Sequence, residues 1–382
     1  MESVMICVLK FGMPLGIPKI KMEEPTMKKL SLVLVLALAV SLLAGCAGTP
    51  VVYYSDCTCP SGSHSTAETP STVPESTAPI AEGAVKTGLA ILGSLSGTDA
   101  SADALGQVKY DVTMVAVNVD DSGVITACVI DGLGATVEFD ATGAITTDVT
   151  AAPATKNELG SSYGMVAYGG ATAEWDAQAA ALAAYAVGKT VEELKNGAID
   201  ETGYAADADL ATTATIYLGG YVSAIEAAVN NARHLGAQAG DVLKLASVND
   251  LSASGEGTIQ LDSTVTALTM NGEAITSCYI DALQAKAAVD GSGVITSDLT
   301  AVPQTKNQLG ENYGMVAWGG AKYEWNEQAA NFAAYVTGKT LQDVMGIAVT
   351  ETTKPADGTD LAASVTIAIG TFQNLISKAA DQ

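Results

Sequence analysis

Hydrophobic and polar positions alternate between residues 108 and 119, a period of two that predicts a strand with one buried face. The run meets Asp120, Asp121, Ser122 and Gly123, which are turn formers, and apolar positions resume over 124–130. A third segment over 135–139 leads through Asp140 and Gly143 to a fourth over 144–149. Short strands broken by turn residues at these intervals predict an antiparallel meander. The period then lengthens. Trp175, Gln178, Leu182 and Tyr185 fall at i, i+3, i+7 and i+10, one face of a helix packed on the sheet. Thr190 and Glu193 have the spacing of an N-cap and its N3 partner, so a second helix starts there. A β-like stretch over 213–218, a glycine, and a helix carrying Tyr221, Ile225 and Ala228 close the pattern.

The whole succession recurs 150 residues later. Residues 153–190 and 303–340 are identical at 25 of 38 positions. In the second copy the turns fall at Asn271-Gly272 and at 290–293, and the helical stripe is Trp325, Gln328, Phe332 and Tyr335. Thr340 and Asp343 mark the next helix start; the closing β-like stretch is 364–369, followed by a helix with Phe372, Ile376 and Ala379. A period this long is outside the range of solenoid repeats and indicates tandem domains. The expected fold is α+β: two repeats, 83–232 and 240–382, each an antiparallel β-meander packed with helices. The seam near 231–245 is expected to join two separately folding domains.

Charge and composition narrow the function. Lys and Arg total 18 against 42 Asp and Glu, a formal charge of −24, which argues against a nucleic-acid partner. Arg233 is the only arginine, and His64 and His234 are the only histidines, so neither a bidentate phosphate clamp nor a His-based triad or zinc site is expected. Upstream, Lys28 and Lys29 precede an apolar run of 14 residues, 30–43. That run is short for a spanning helix of about 20 residues and suits a signal peptide. Leu43-Ala44-Gly45-Cys46 resembles a bacterial lipobox, which implies lipidation at Cys46 and a membrane-anchored protein outside the cytoplasmic membrane. Residues 1–26 precede a better start at Met27, residues 27–45 form the signal peptide, and 46–82, rich in Ser, Thr, Pro and Ala, read as a flexible tether. Cys57, Cys59 and His64 lie within that tether. An exposed thiol pair or a disulfide is expected there, with a metal or redox role the other possibility.

Three features recur in both copies as candidates for chemistry. In the loop from Lys156 through Tyr163 to Tyr168, and again from Lys306 through Tyr313 to Trp318, glycines stand beside aromatics and a methionine. Such a loop suits contact with a flat ligand, with lysine available for an anion, or else tucks its aromatics into the core. Cys128 and Cys278 occupy equivalent places in the second predicted strand, where apolar neighbours favour buried, inert thiols. Gly188-Lys189-Thr190 and Gly338-Lys339-Thr340 lack the upstream glycine of a phosphate loop and fit helix caps better.

The third feature is Asp209-Leu-Ala-Thr212-Thr213-Ala214-Thr215, with Asp360-Leu-Ala-Ala363-Ser364-Val365-Thr366 in the second copy. This pattern resembles the D-x-x-S-G-A-T of the FMN-binding domain family, and residues 121–130 resemble that family's strand–turn–strand. The 150-residue unit is also similar to exported tandem lipoproteins of Clostridia-like bacteria. The resemblance implies FMN joined through a phosphoester to Thr215 and Thr366, with Asp209 and Asp360 as the motif's acidic positions. Thr213 and Ser364 stand where the family has glycine. The function so implied is a surface flavin- or quinone-type electron carrier working with a redox partner protein. A non-catalytic small-ligand-binding module, or a surface scaffold, is the alternative.

Overall fold

In the computed structural model, which describes residues 83–382, each copy opens with three antiparallel strands. The first copy supplies β1 (Lys86–Thr98), β2 (Gly106–Val119) and β3 (Ile125–Phe139), hydrogen-bonded in the order β1-β2-β3. The second supplies β4 (Val242–Asp250), β5 (Thr258–Asn271) and β6 (Ala274–Ala288), in the order β4-β5-β6. In register, Ile91 faces Met114 and Val112 faces Leu133. The register shifts between Asn118 and Val119, and again at the equivalent Thr269 and Met270, so both copies keep the same irregularity beside the turn.

Helices follow in each copy. The first has α1 (Lys156–Leu159), α2 (Trp175–Ala186), α3 (Val191–Gly197), α4 (Ala208–Thr213) and α5 (Gly219–Asn230). The second has α6 (Lys306–Leu309), α7 (Trp325–Val336), α8 (Leu341–Met345) and α9 (Gly370–Ala380), with a 3-10 turn at Leu361–Ala363 in place of α4. The expected caps are present: the Thr190 and Thr340 side chains accept the N–H of Glu193 and Asp343. The expected α+β fold of two meander repeats is what the chain adopts.

Three details differ from the sequence expectation. The predicted segments 124–130 and 135–139 merge, from Ile125 on, into one strand, β3, which runs on through Gly132 and Gly134. Residues 144–149 form no strand; Ile145 makes a single bridge to Phe139. The stretches 213–218 and 364–369 are not strands either. Two strands were not anticipated, β4 and its counterpart β1. Gly88, Gly93 and Gly97 interrupt the apolar pattern of β1. At Gly88 the cause is close packing: a Cβ there would lie 2.0 Å from the carbonyl oxygen of Ala228 in α5.

Helices cover one face of each sheet. Trp175 and Leu182 of α2 and Ile225 of α5 pack on Val115, Val117 and Ile130. Trp325 and Phe332 of α7 and Ile376 of α9 pack likewise on Leu268, Ile275 and Ile280. The remaining faces meet each other. Leu89, Val108, Tyr110, Met114 and Phe139 of the first copy share one apolar cluster with Leu245, Ile259, Leu261, Val265 and Leu283 of the second. The Tyr110 hydroxyl donates to the carbonyl of Ile259 at 2.9 Å, and Thr87 Oγ1 lies 2.7 Å from Ser277 Oγ across the same junction. The result is four layers, helix–sheet–sheet–helix. The seam divides the sequence into its two repeats, but the inner face of each sheet is covered by the other repeat.

The contact is reciprocal, as in a two-fold dimer. A Cβ on Gly143 would lie 2.4 Å from the Asp290 carbonyl oxygen, and one on the equivalent Gly293 would lie 2.9 Å from that of Asp140. The seam itself is pinned to β1. Thr87 and Arg233 exchange backbone hydrogen bonds, and Val85 N–H donates to Ala237. His234 Nε2 lies 3.0 Å from Asp121 Oδ1, which also meets Lys86 Nζ at 2.9 Å. These two partners, Lys86 first, hold the Asp121 carboxyl below the usual range.

Candidate aromatic loops and the threonine motif

The aromatic loop is built on a buried carboxylate. Thr155 caps α1, and Glu158 returns a bond to the Thr155 N–H at 2.8 Å; Thr305 and Gln308 repeat the arrangement in α6. Beneath each cap lies an aspartate. Asp131 accepts the N–H groups of Gly132 at 2.7 Å and Asn157 at 3.1 Å; Asp281 accepts those of Ala282 at 2.7 Å and Asn307 at 3.0 Å. Burial raises both carboxyls, that of Asp281 to about 6. Asn157 and Asn307 also donate to the strand carbonyls of Ile130 and Ile280. These four residues fix where the loop leaves the sheet.

Lysine and tyrosine come together next, but they face each other. The Lys156 ammonium lies 5.3 Å from the Tyr163 ring centre and 5.1 Å from that of Trp175. Lys306 repeats this at 4.7 Å from Tyr313 and 5.0 Å from Trp325. Each ammonium is thus engaged with two rings, so Lys156, Lys306, Tyr163 and Tyr313 hold the loop to its helix.

Tyr168 and Trp318 behave differently. Gly164 and Gly314 take left-handed φ values of +84° and +82°, which turn the chain tightly back over itself. Each aromatic ring then packs over its glycine: a Cβ would lie 2.5 Å from the Tyr168 ring and 2.3 Å from the Trp318 ring. The loop is clamped from below by Glu174, which accepts the N–H groups of Met165 and Val166, and by Glu324, which accepts those of Met315 and Val316. The rings themselves are left 92% and 83% exposed. Neither is tucked into the core. Beside Trp318 lies a hollow of about 540 Å³ lined by Glu311, Asn312, Glu324 and Glu327 among others, with no basic side chain in its wall.

The two clamping glutamates, Glu174 and Glu324, were not singled out from sequence. Their signal was present as the Glu-Trp pair opening both copies of the same helix. Nothing in that pair reveals that the carboxylate turns back to bind the loop amides.

Thr215 and Thr366 belong to another device. The buried Gln178 of α2 directs Oε1 at three donors: Thr215 N–H at 2.7 Å, Thr215 Oγ1 at 3.1 Å and Ile216 N–H at 3.1 Å. Gln328 does the same for Thr366 and Ile367. Its Nε2 donates to Tyr323, as that of Gln178 does to Ala173. The segment therefore takes its hydrogen bonds from a helix side chain, not from a neighbouring strand, which is why the predicted β-like stretches are absent. Asp209 and Asp360 are exposed, and the first turn of α4 is capped by Asp207 instead.

A flavin phosphate needs donors, and the segment has few to give. Thr215 and Thr366 are exposed residues, but their hydroxyls and the adjacent amides are already bonded to glutamine. The N–H groups of Leu218 and Gly219, at the start of α5, go to the Gly203 carbonyl. Thr213, in the family's glycine position, turns its hydroxyl to Leu210. In the second copy Lys322 Nζ donates to the Ala363 carbonyl at 3.2 Å; the first copy has Thr172 at the equivalent position and so lacks the ammonium. As arranged, these residues do not fit a phosphate cradle.

Cys278 is buried and Cys128 half-buried; both thiols are free, and burial pushes both up to about 12, so neither is a ready nucleophile. Among the described residues, no group of three or more His, Cys, Asp or Glu side chains is placed to hold a metal ion. No helix among them is long and apolar enough to cross a membrane. Cys46, Cys57, Cys59 and His64 lie outside the described residues.

Comparison of this chain with family models, curated proteins and solved structures finds no match.

Proposed function

We propose that this protein is a non-catalytic binding module, carried outside the cytoplasmic membrane on a lipid anchor at Cys46. One observation carries the binding reading: in both repeats a large aromatic ring stands exposed on a glycine, with its loop clamped by a glutamate. An ordered ring held out to solvent adds no core packing, and contact with a ligand is the use that such an arrangement serves. The anchor rests on the sequence alone, on the Lys28-Lys29 start, the apolar run and Leu43-Ala44-Gly45-Cys46.

A panel of small ligands screened by thermal shift against the mature chain and against a Tyr168→Ala/Trp318→Ala variant tests the binding reading. The variant should unfold within about 0.5 kcal/mol of the parent, as expected for exposed positions. Ligands that stabilise the parent should lose that effect in the variant. A loss on the order of 3 kcal/mol would instead mark the rings as packing groups. Intact-mass measurement on protein from its native host separates this reading from a flavin carrier: the account expects no FMN-sized adduct. For the anchor, Cys46→Ser should move the protein from the membrane fraction to the soluble one; unchanged retention contradicts lipidation.

A further inference from the structure

We propose that the hollow beside Trp318 takes an organic cation, a quaternary or primary ammonium group, and that its counterpart in the first repeat does not. This rests on the binding-module reading and names the ligand class for one of its two loops.

The hollow, about 540 Å³, is large enough for a small organic ammonium ion, and its wall combines the Trp318 ring with three carboxylates. Two of those carboxylates are held by backbone donors. Glu324 binds the N–H groups of Met315 and Val316, and Glu327 binds the N–H of Glu324 at 2.8 Å. Glu311 is exposed at the rim. Fixed negative groups need no rearrangement when a cation arrives, and the face of an indole attracts the same charge through its quadrupole. An anionic ligand would meet three like charges with no basic group to offset them. The repeat already shows the chemistry once, where the Lys306 ammonium sits over the rings of Tyr313 and Trp325.

The first repeat lacks the set. By the 150-residue offset, Glu311 becomes Ser161, Glu327 becomes Ala177, and Trp318 becomes Tyr168. Two carboxylates are lost and one is gained, Asp176 standing where the second repeat has the hollow-lining Asn326, and the better cation-binding ring is replaced by a weaker one. The duplication has kept the platform and changed its charge. The formal charge of −24 draws cations toward the whole surface, but only the local set separates one loop from the other.

Calorimetric titration of the mature chain with choline, set beside its uncharged isostere 3,3-dimethylbutan-1-ol, decides the matter. Choline should bind at one site per chain and at least about tenfold more tightly than the isostere, and should weaken as salt is raised. Trp318→Ala and Glu327→Gln should each weaken choline about tenfold, while Val242→Ala, at an exposed position outside both loops, should leave it unchanged. Glu327→Gln keeps a hydrogen-bond acceptor for the Glu324 N–H, so a loss there reports charge and not folding. Equal binding of choline and isostere would overturn the cation assignment. So would failure of both while a neutral ring compound such as methyl glucoside binds in a Trp318-dependent way, although the binding-module reading would then stand. Failure of all three probes, with no Trp318-dependent shift in the wider ligand panel, would overturn both.

Discussion

Asp281 sits in the second repeat with its carboxylate turned to two backbone N–H groups and its surroundings closed to water. Desolvation outweighs those bonds and raises the carboxyl to about 6, from an ordinary 3.8. The folded state therefore holds this proton more tightly than the unfolded chain does. The stability contributed by its protonation is complete below about pH 3.8 and is lost as pH rises through about 6. Asp281→Asn should remove that dependence. Denaturation at pH 7 and pH 4.5 should show the variant gaining on the parent at the higher pH, by an amount on the order of 2 kcal/mol. A constant difference between the two pH values would place the titration elsewhere. Gln328 makes a second test at this scale. Gln328→Ala withdraws the acceptor from Thr366 and Ile367 and leaves a cavity in α7, so a cost of about 1–3 kcal/mol is expected by chemical denaturation. Thr366→Val removes one donor at an exposed position and should cost far less. A large loss in Thr366→Val instead would mean that the hydroxyl has a role beyond the clamp. The stripe containing these glutamines was legible as a buried helix face: Trp175, Gln178 and Leu182 are all buried. What the glutamine binds was not legible, because its partner is 37 residues away.

Among the elements, sequence patterns worked where a local rule decides the structure. The caps at Thr190 and Thr340 depend on neighbours three residues apart, and both formed. The hairpin turn at 120–123 is closed by Asp120, whose Oδ1 takes the N–H groups of Ser122 and Val124, again a local bond. Patterns failed where tertiary contacts decide. Strand β1 was hidden by its glycines, of which Gly88 serves the approach of α5 and Gly93 that of Leu283, and β3 was cut in two at Gly132 and Gly134. The stretches 213–218 and 364–369 carry β-branched residues suited to a strand, yet a buried glutamine takes up their amides. At the candidate site, the recurrence of Lys156 to Tyr168 at Lys306 to Trp318 marked the right loop. It did not separate the tyrosines that hold a lysine from Tyr168 and Trp318, which face solvent. That division follows from a left-handed glycine and a glutamate nine residues past the loop's first anchored amide.

At the scale of the molecule, alternation over 108–119 announced one buried face without saying what would bury it. The burial of β2 records the answer: alternating near its start, where only the opposite sheet covers it, and continuous near its end, where helices add a second cover. Each repeat thus carries a helix-covered face of its own and a bare face met only by its duplicate. One body then presents both aromatic loops, with the same platform and different charge around it. If the inner sheet faces form a single core, neither repeat can unfold without exposing the other. Scanning calorimetry of the chain lacking residues 1–82 tests this most directly. The account predicts one transition whose calorimetric and van't Hoff enthalpies agree; two separate transitions, each with the enthalpy of a half, would contradict it.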